Sequence, residues 1–379
     1  MGTWQLEPQL EALADRGVEI VDPRQTYVAP DVSPLRVCSG VVLHPGTRLH
    51  GARTFLGPGA RVGVEGPATL VDAVLGAEAR VDAGYVEGAV LLDGARAGWG
   101  AHLRPGTLLE EQASTAHCVG LKHTILLSFV TLGSVINFCD VLMAGGTSRR
   151  DHSEVGSGFI HFNFTPWGEQ GDKATPSMAG DVVHGVFLRE RRIFLGGAGG
   201  MVGPSTVGYG SVTAAGQVVR RSVGTDLLVF QGMRALQRPF RRGAVDGLEP
   251  RLERNVAYIR QLVALRAWYR HVRRARLPAG PEHDPARVVL DEALVTLGAC
   301  IDERVKRTRA FAEERDGALP PLQLDPEVGP CPLPLAGEGP WVDHLAWVAG
   351  LSDAQVEAGV AWLAEIAAAV AAVAPSPAA

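Results

Sequence analysis

A parallel β-helix of stacked six-residue turns, followed by an α-helical domain, is the fold class this sequence predicts. Three observations carry it. Between Leu43 and Val223 an aliphatic residue returns to the same phase every six positions. Leu91, Ala97, Leu103 and Leu109 form one series, with Thr213 between Val207 and Val219 in another, and Leu43/Leu49, Leu56/Val62 and Leu75/Val81 in shorter runs. A period of six is neither the helical period nor plain strand alternation; it is a short strand plus a tight turn, stacked coil on coil. Glycine is abundant (46 of 379 residues) and aromatics are only 6%, which suits a turn-dense solenoid better than a helical bundle. Near Phe240 the glycines thin out and helical spacing begins.

The elements follow in order. Residues 1–19 read as a short linker helix, with Leu6, Leu10 and Leu13 on one face and Gly17 as its stop. Residues 20–223 form the repeat zone, punctuated by His-Pro-Gly at 44–46, Gly-Pro-Gly at 57–59 and Arg-Pro-Gly at 104–106. Two stretches leave the rhythm, 143–152 and 163–176, and loops that leave a rigid scaffold are where recognition sits. A basic connecting segment spans 224–245 and includes Arg234 and Arg238. Residues 246–379 read as a helical domain: a run at 248–276 with Leu252, Val256, Ile259 and Val263 inward, a second at 286–314, a Pro-rich linker, then short helices at 341–350 and 353–373 with Ser352 as a cap. The tail after them is expected to fray.

Bulk properties narrow the function classes. A net charge of −5 gives no global argument for nucleic acid or an anionic membrane as partner. Five cysteines without a CxxC pair fit a reduced cytoplasm, with buried structural thiols expected. The N-terminal segment carries acids and no apolar run, so no signal peptide is expected. The apolar stretch from Leu121 to Met143 is broken by Lys122, Asn137 and Asp140, so no membrane span is expected.

Read as a string, residues 10–225 resemble the acetyltransferase half of the bifunctional N-acetylglucosamine-1-phosphate uridyltransferase/glucosamine-1-phosphate acetyltransferase, within the hexapeptide-repeat acyltransferases. The matching segments, in order, are 13–32, 101–111, 119–126, 156–164 and 202–219. The resemblance implies a left-handed β-helix, against the usual right-handed crossover. It also implies a homotrimer with sites shared between subunits, acetyl-CoA as acyl donor, and a sugar phosphate or nucleotide sugar such as UDP-N-acetylglucosamine as ligand. No counterpart of the family's uridyltransferase domain is found, so no such activity is expected. The helical region after residue 245 is extra to the family.

Site residues carry over one by one. Arg104 and Lys122 match the basic residues that hold the sugar phosphate, and a guanidinium with an ammonium neutralises a phosphomonoester by charge-assisted bonds. Asn163 matches a sugar-orienting Asn, Phe164 replaces the Tyr beside it, and Lys173 follows the loop where the family has a substrate- or neighbour-facing Lys. Gly197 and Ala215 fall where the family's backbone lines the acetyl-CoA groove, although coil turns require small residues in any case.

The catalytic base is the departure. Acyl transfer to an amine needs a proton acceptor, usually His. The family's His falls at Val135 or a neighbour, and Phe138 replaces its Tyr. His161, two residues before Asn163 and so on the same side of a strand, and His152, beside Asp151, are the substitutes favoured over His117 and His123. On a straight strand His123 points away from Lys122. No metal site is expected, because the neighbours Asp151, His152 and Glu154 rarely converge unaided in a loop. Two functions stay open: an acyltransferase with a relocated base, or a nucleotide-sugar-binding scaffold that has lost catalysis.

Overall fold

The computed structural model describes residues 7–164, 173–230, 248–278, 281, 284–315, 317–335 and 343–370. It is a parallel β-solenoid with three faces, carrying a layer of helices, in agreement with the fold class expected. The first face holds eleven two-residue strands, from Glu19–Ile20 to Leu228–Val229. A sixteen-stranded sheet wraps the second and third faces. These two faces join where the strands Gly120–Leu126 and Asn137–Met143 run through a corner.

Register explains the six-residue period. On every face one residue of each strand points inward, and the inward residues stack on those of the next coil. Leu75, Leu91, Leu109 and Leu126 stack on the third face, Val81 and Ala97 on the first, Val86, Leu103 and Leu121 on the second. All are fully buried. The corners are turned by residues in the left-handed region, where glycine is usual; here several are not glycine, among them His123, Val135 and Asp140.

The helical layer covers the third face. Helix α1 (Pro8–Asp15) caps the solenoid's start with Leu10 and Leu13. A short helix α2 (Val182–Gly185) and the helices α3 (Leu248–Trp268), α4 (Pro285–Glu313), α5 (His344–Ala349) and α6 (Asp353–Ala369) form the layer. Solenoid and helices share one contiguous apolar core. In α3, Val256 is only half-buried and Asn255 is buried instead, donating to the Ala174 carbonyl at 3.0 Å. Ser352 caps α6, with Gln355 completing the reciprocal box. Gly359 of α6 abuts Phe187, where a Cβ would come within 2.5 Å of the ring.

Buried ionic groups tie the layer down. Arg273, in the π-helical turn after α3, bonds Glu110 and Glu111, while the Tyr269 hydroxyl donates to Glu110 Oε1 at 2.8 Å. Ser128 donates its backbone N–H and its hydroxyl to Glu110 as well. Burial pushes the Glu110 carboxyl upward, and Arg273 opposes that. Glu292 of α4 reaches Arg36 at 3.2 Å and Arg53 at 2.6 Å. All five cysteines are free; Cys300 is buried as expected, Cys38, Cys139 and Cys331 are half-buried, and Cys118 is exposed, against the expectation of buried thiols. Among the described residues no helix is long and apolar enough to cross a membrane, and no group of three or more His, Cys, Asp or Glu side chains is placed to hold a metal ion.

Candidate functional site

The three corners of the solenoid separate the residues singled out from the sequence. Between the second and third faces lies a cavity of about 300 Å³, lined by Arg104, Lys122, His123, Asn137, Cys139, Asp140, Asn163, Lys173, Glu303 and Arg307. Arg104 and Lys122 sit on successive coils, since the Arg104 N–H bonds the Leu121 carbonyl at 2.9 Å. Arg104 also donates to Cys139 Sγ at 3.3 Å. Burial raises the Cys139 thiol, against the nearby Arg104. Asn163 donates to Asp140 Oδ2 at 3.2 Å.

Helix α4 closes the cavity. Arg304 pairs with Asp140 at 2.5 Å, both nearly enclosed, and donates to the Lys173 carbonyl at 3.3 Å. Glu303 and Arg307, paired at 2.7 Å, complete the wall. Partial burial works against ionising Glu303, but Arg307 outweighs it and holds the carboxyl below the usual range. The lining thus carries four cations against two carboxylates; Arg304 engages Asp140 and Arg307 engages Glu303, which leaves Arg104, Lys122 and Lys173 to face the cavity. Such a cavity attracts an anion of more than one charge.

Four of the residues expected to hold substrate, Arg104, Lys122, Asn163 and Lys173, converge here. Phe164 stands exposed just beyond them and is not on the wall. Glu303 and Arg307 escaped the sequence reading, because Glu and Arg at i, i+4 on a helix mark solvated faces everywhere.

Neither favoured histidine reaches the cavity wall. His161 lies in the inward column of the second face, paired with Met201, and is 3% exposed. Its Nδ1 is 2.6 Å from the Cys139 carbonyl and its Nε2 is 2.8 Å from Ser177 Oγ, so both nitrogens are engaged. Burial drives its pKa down to about 4, against the hydrogen bond to Cys139. His152 sits at the corner between the third and first faces, in a separate open cavity with Asp151, Glu154, Arg191 and Arg192. His123 does line the anion cavity. At φ 45° it turns the corner, so it and Lys122 open to the same side, unlike neighbours on a straight strand.

Gly197 and Ala215 lie at the remaining corner, between the first and second faces. A Cβ on Gly197 would meet the Ser157 carbonyl oxygen at 2.7 Å, so glycine there is required by the coil. Ala215 is exposed and Gly197 half-exposed, which leaves the backbone of this corner reachable. Val135 shares the corner and is 56% exposed. Phe138 points inward and packs edge-on against Phe159 at 5.9 Å. Arg234 and Arg238 lie outside the described residues.

Comparison with known proteins agrees with this architecture. The chain is 31% identical over 232 residues to the bifunctional protein GlmU of Nocardia farcinica, covering 61% of this chain and 41% of that one. It is 30% identical over 207 residues to GlmU of Kineococcus radiotolerans (55% and 37%) and 34% identical over 209 residues to that of Clavibacter sepedonicus (55% and 36%). The chain therefore spans about two-fifths of the length of the curated relatives it matches. No protein-family model matches. A likeness to the crystal structure of the polySia-specific acetyltransferase NeuO covers 61% of this chain and 85% of that one at 9% identity, but its TM-score of 0.15 gives it no weight. The resemblance drawn from the sequence stands: across more than half its length this chain is similar to GlmU.

Proposed function

We propose that this protein binds a sugar phosphate, or the phosphate end of a nucleotide sugar such as UDP-N-acetylglucosamine, in the corner cavity and transfers an acyl group from acyl-CoA to an amine on that sugar. The observation that carries the reading is the convergence of Arg104, Lys122, Asn163 and Lys173, from three coils, on one cavity. A phosphate dianion takes the three cations; Asn163 offers a donor and an acceptor to a hydroxyl or amine. The GlmU likeness adds acetyl-CoA as donor, with Gly197 and Ala215 as its backbone rest. That corner lies across the second face from the cavity, so one chain does not join them. The homotrimer is part of this proposal because a neighbour can bring its own corner to the cavity. A CoA-dependent reaction also sets the protein in the cytoplasm.

A second reading, a nucleotide-sugar-binding scaffold without catalysis, is favoured by the lack of a histidine at Val135 or its neighbours, where the family's His falls, and by Phe138 in place of its Tyr. Thermal shift with glucosamine 1-phosphate, UDP-N-acetylglucosamine and acetyl-CoA, beside an assay of CoA release, separates the two. The transferase is stabilised by sugar phosphate and by acetyl-CoA and releases CoA; the scaffold is stabilised by the sugar ligand alone. Arg104→Ala should weaken sugar-phosphate binding ten- to a hundred-fold, about 1.5–3 kcal/mol, with the melting transition unmoved. Unchanged affinity for every sugar phosphate would put the site elsewhere.

A further inference from the structure

One histidine on the cavity wall has no structural employment. His123 is fixed by its backbone, whose N–H bonds the Pro105 carbonyl at 3.2 Å. Its ring lies over Gly106, at φ 80°, where a Cβ would come within 2.2 Å of Nδ1. Only glycine leaves room for the imidazole at this height. Nδ1 is buried with no hydrogen-bond partner. Nε2, on the cavity side, makes no hydrogen bond among the described residues. An unpaired buried ring nitrogen costs about 1–3 kcal/mol. His161 offers the contrast, with both nitrogens tied inside the core. Nothing in the fold therefore assigns the His123 tautomer, and with Nδ1 shut against Gly106 it is Nε2 that is left to meet a ligand in the cavity.

The charged groups around His123 come from three elements. Lys122 stands beside it on its own strand, Asp140 occupies the same corner one coil on, and Glu303, Arg304 and Arg307 approach from α4. Burial lowers the His123 pKa first; Lys122 and Arg304 lower it further, while Asp140 and Glu303 raise it, and the balance leaves it below the ordinary value. The ring is neutral at pH 7 and able to accept a proton.

We infer that His123 is the general base of this site, taking the proton of a sugar-phosphate amine, and that Glu303 of α4 is the positioning residue whose carboxylate steadies the imidazolium. The inference builds on the transferase reading above. In the step, the uncharged amine attacks the thioester carbonyl carbon; the C–N bond forms as the C–S bond breaks. The nitrogen's proton passes to the imidazole and then to the departing thiolate, giving the amide, the free thiol and a neutral ring. The catalytic apparatus then includes a helix outside the solenoid, and α4 is part of the active site rather than only a cover.

The experiment uses the full chain, glucosamine 1-phosphate and acetyl-CoA, with affinity read by calorimetry and CoA release followed against pH. His123→Gln should keep sugar-phosphate affinity within about threefold and lose a hundred-fold or more in kcat. His123→Ala should regain part of that rate when imidazole is added. Glu303→Gln removes a carboxylate that raises the ring's pKa, so the acidic limb of the pH–rate profile should move to lower pH; a stability loss with an unmoved limb would remove Glu303 from the proposal. A His123→Gln variant with the parental kcat and pH profile overturns the base. Tight sugar-phosphate binding by the unaltered protein without CoA release at any pH overturns the base and leaves the binding reading intact. No binding by the unaltered protein overturns both. Should the His123 variants misfold, as judged by circular dichroism, the Glu303→Gln profile decides the case.

Discussion

The first and third faces of the solenoid have the same strand length, the same pairing and the same aliphatic lining, yet one is bare and the other covered. On the first face the outward residues run Arg61, Arg80, Arg96, Ser114, Thr131, Glu154. On the third they run Phe55, Val74, Val90, Leu108, Ile125, Leu142, every one buried beneath the helices. The inward column makes a coil; the outward column decides what the coil is for. An apolar outward column would be an exposed patch of the kind soluble monomers avoid, and here the chain's own helices cover it. The anion cavity lies where this covered face meets the second face, at the height where α4 brings Arg304 to Asp140.

Breaking the clamp between the layers should have the largest effect. Arg273→Ala leaves Glu110 and Glu111 buried without their cation, and an orphaned buried charge costs about 3–5 kcal/mol. Arg61→Ala, on the bare face, should change stability by no more than about 0.5 kcal/mol. Guanidinium unfolding of both variants tests the contrast. Equal midpoints would mean the helical layer is not held by this network.

Packing on the covered face comes next. Leu108 is fully buried although it points away from the solenoid interior. Leu108→Ala should cost about 2–5 kcal/mol, as much as Leu103→Ala in the inward column. A loss well under 1 kcal/mol, read from the same unfolding curves, would mean that the helices lie on this face without packing into it.

Much of this was legible in the sequence. The six-residue series predicts the coils because each of its members must be inward for the stack to close. The helices at 248–276, 286–314 and 353–373 appear within a few residues, or one short turn, of their expected ends. The covered face is also written there, as the adjacent apolar pairs Phe55–Leu56, Val74–Leu75, Val90–Leu91 and Leu108–Leu109, against Arg61–Val62, Arg80–Val81 and Arg96–Ala97 on the bare one. The doublets only mean cover once the strands are assigned to faces. Of the site, Arg104, Lys122, Asn163 and Lys173 were legible through resemblance. His123 was misjudged because strand alternation assumes extended backbone, and a left-handed corner at a non-glycine residue leaves no mark in the sequence. Glu303 and Arg307 were invisible for a different reason: which turn of a distant helix meets the corner is decided by tertiary packing alone.

An effect confined to acidic pH concerns the interior columns and sharpens the same comparison. Beneath the third face the column is Leu56, Leu75, Leu91, Leu109, Leu126, Met143, Ala179, Val207, with nothing to titrate. Beneath the second face it contains His161. Burial lowers this histidine from 6.5 to about 4 in the folded protein. The unfolded chain therefore takes up a proton that the folded chain refuses. The stabilisation is fully present above pH 6.5 and is lost as the pH falls toward about 4, an interval set by that shift. The loss attributable to His161 should reach about 3 kcal/mol at the acidic end. His161→Leu should start lower at neutral pH, because the Cys139 carbonyl and Ser177 lose a partner, but should decline less steeply on acidification. Urea unfolding at intervals between pH 7 and pH 4 measures both slopes. Parallel slopes would mean that His161 takes up its proton in the folded protein, and that this column is wetter than its covered counterpart.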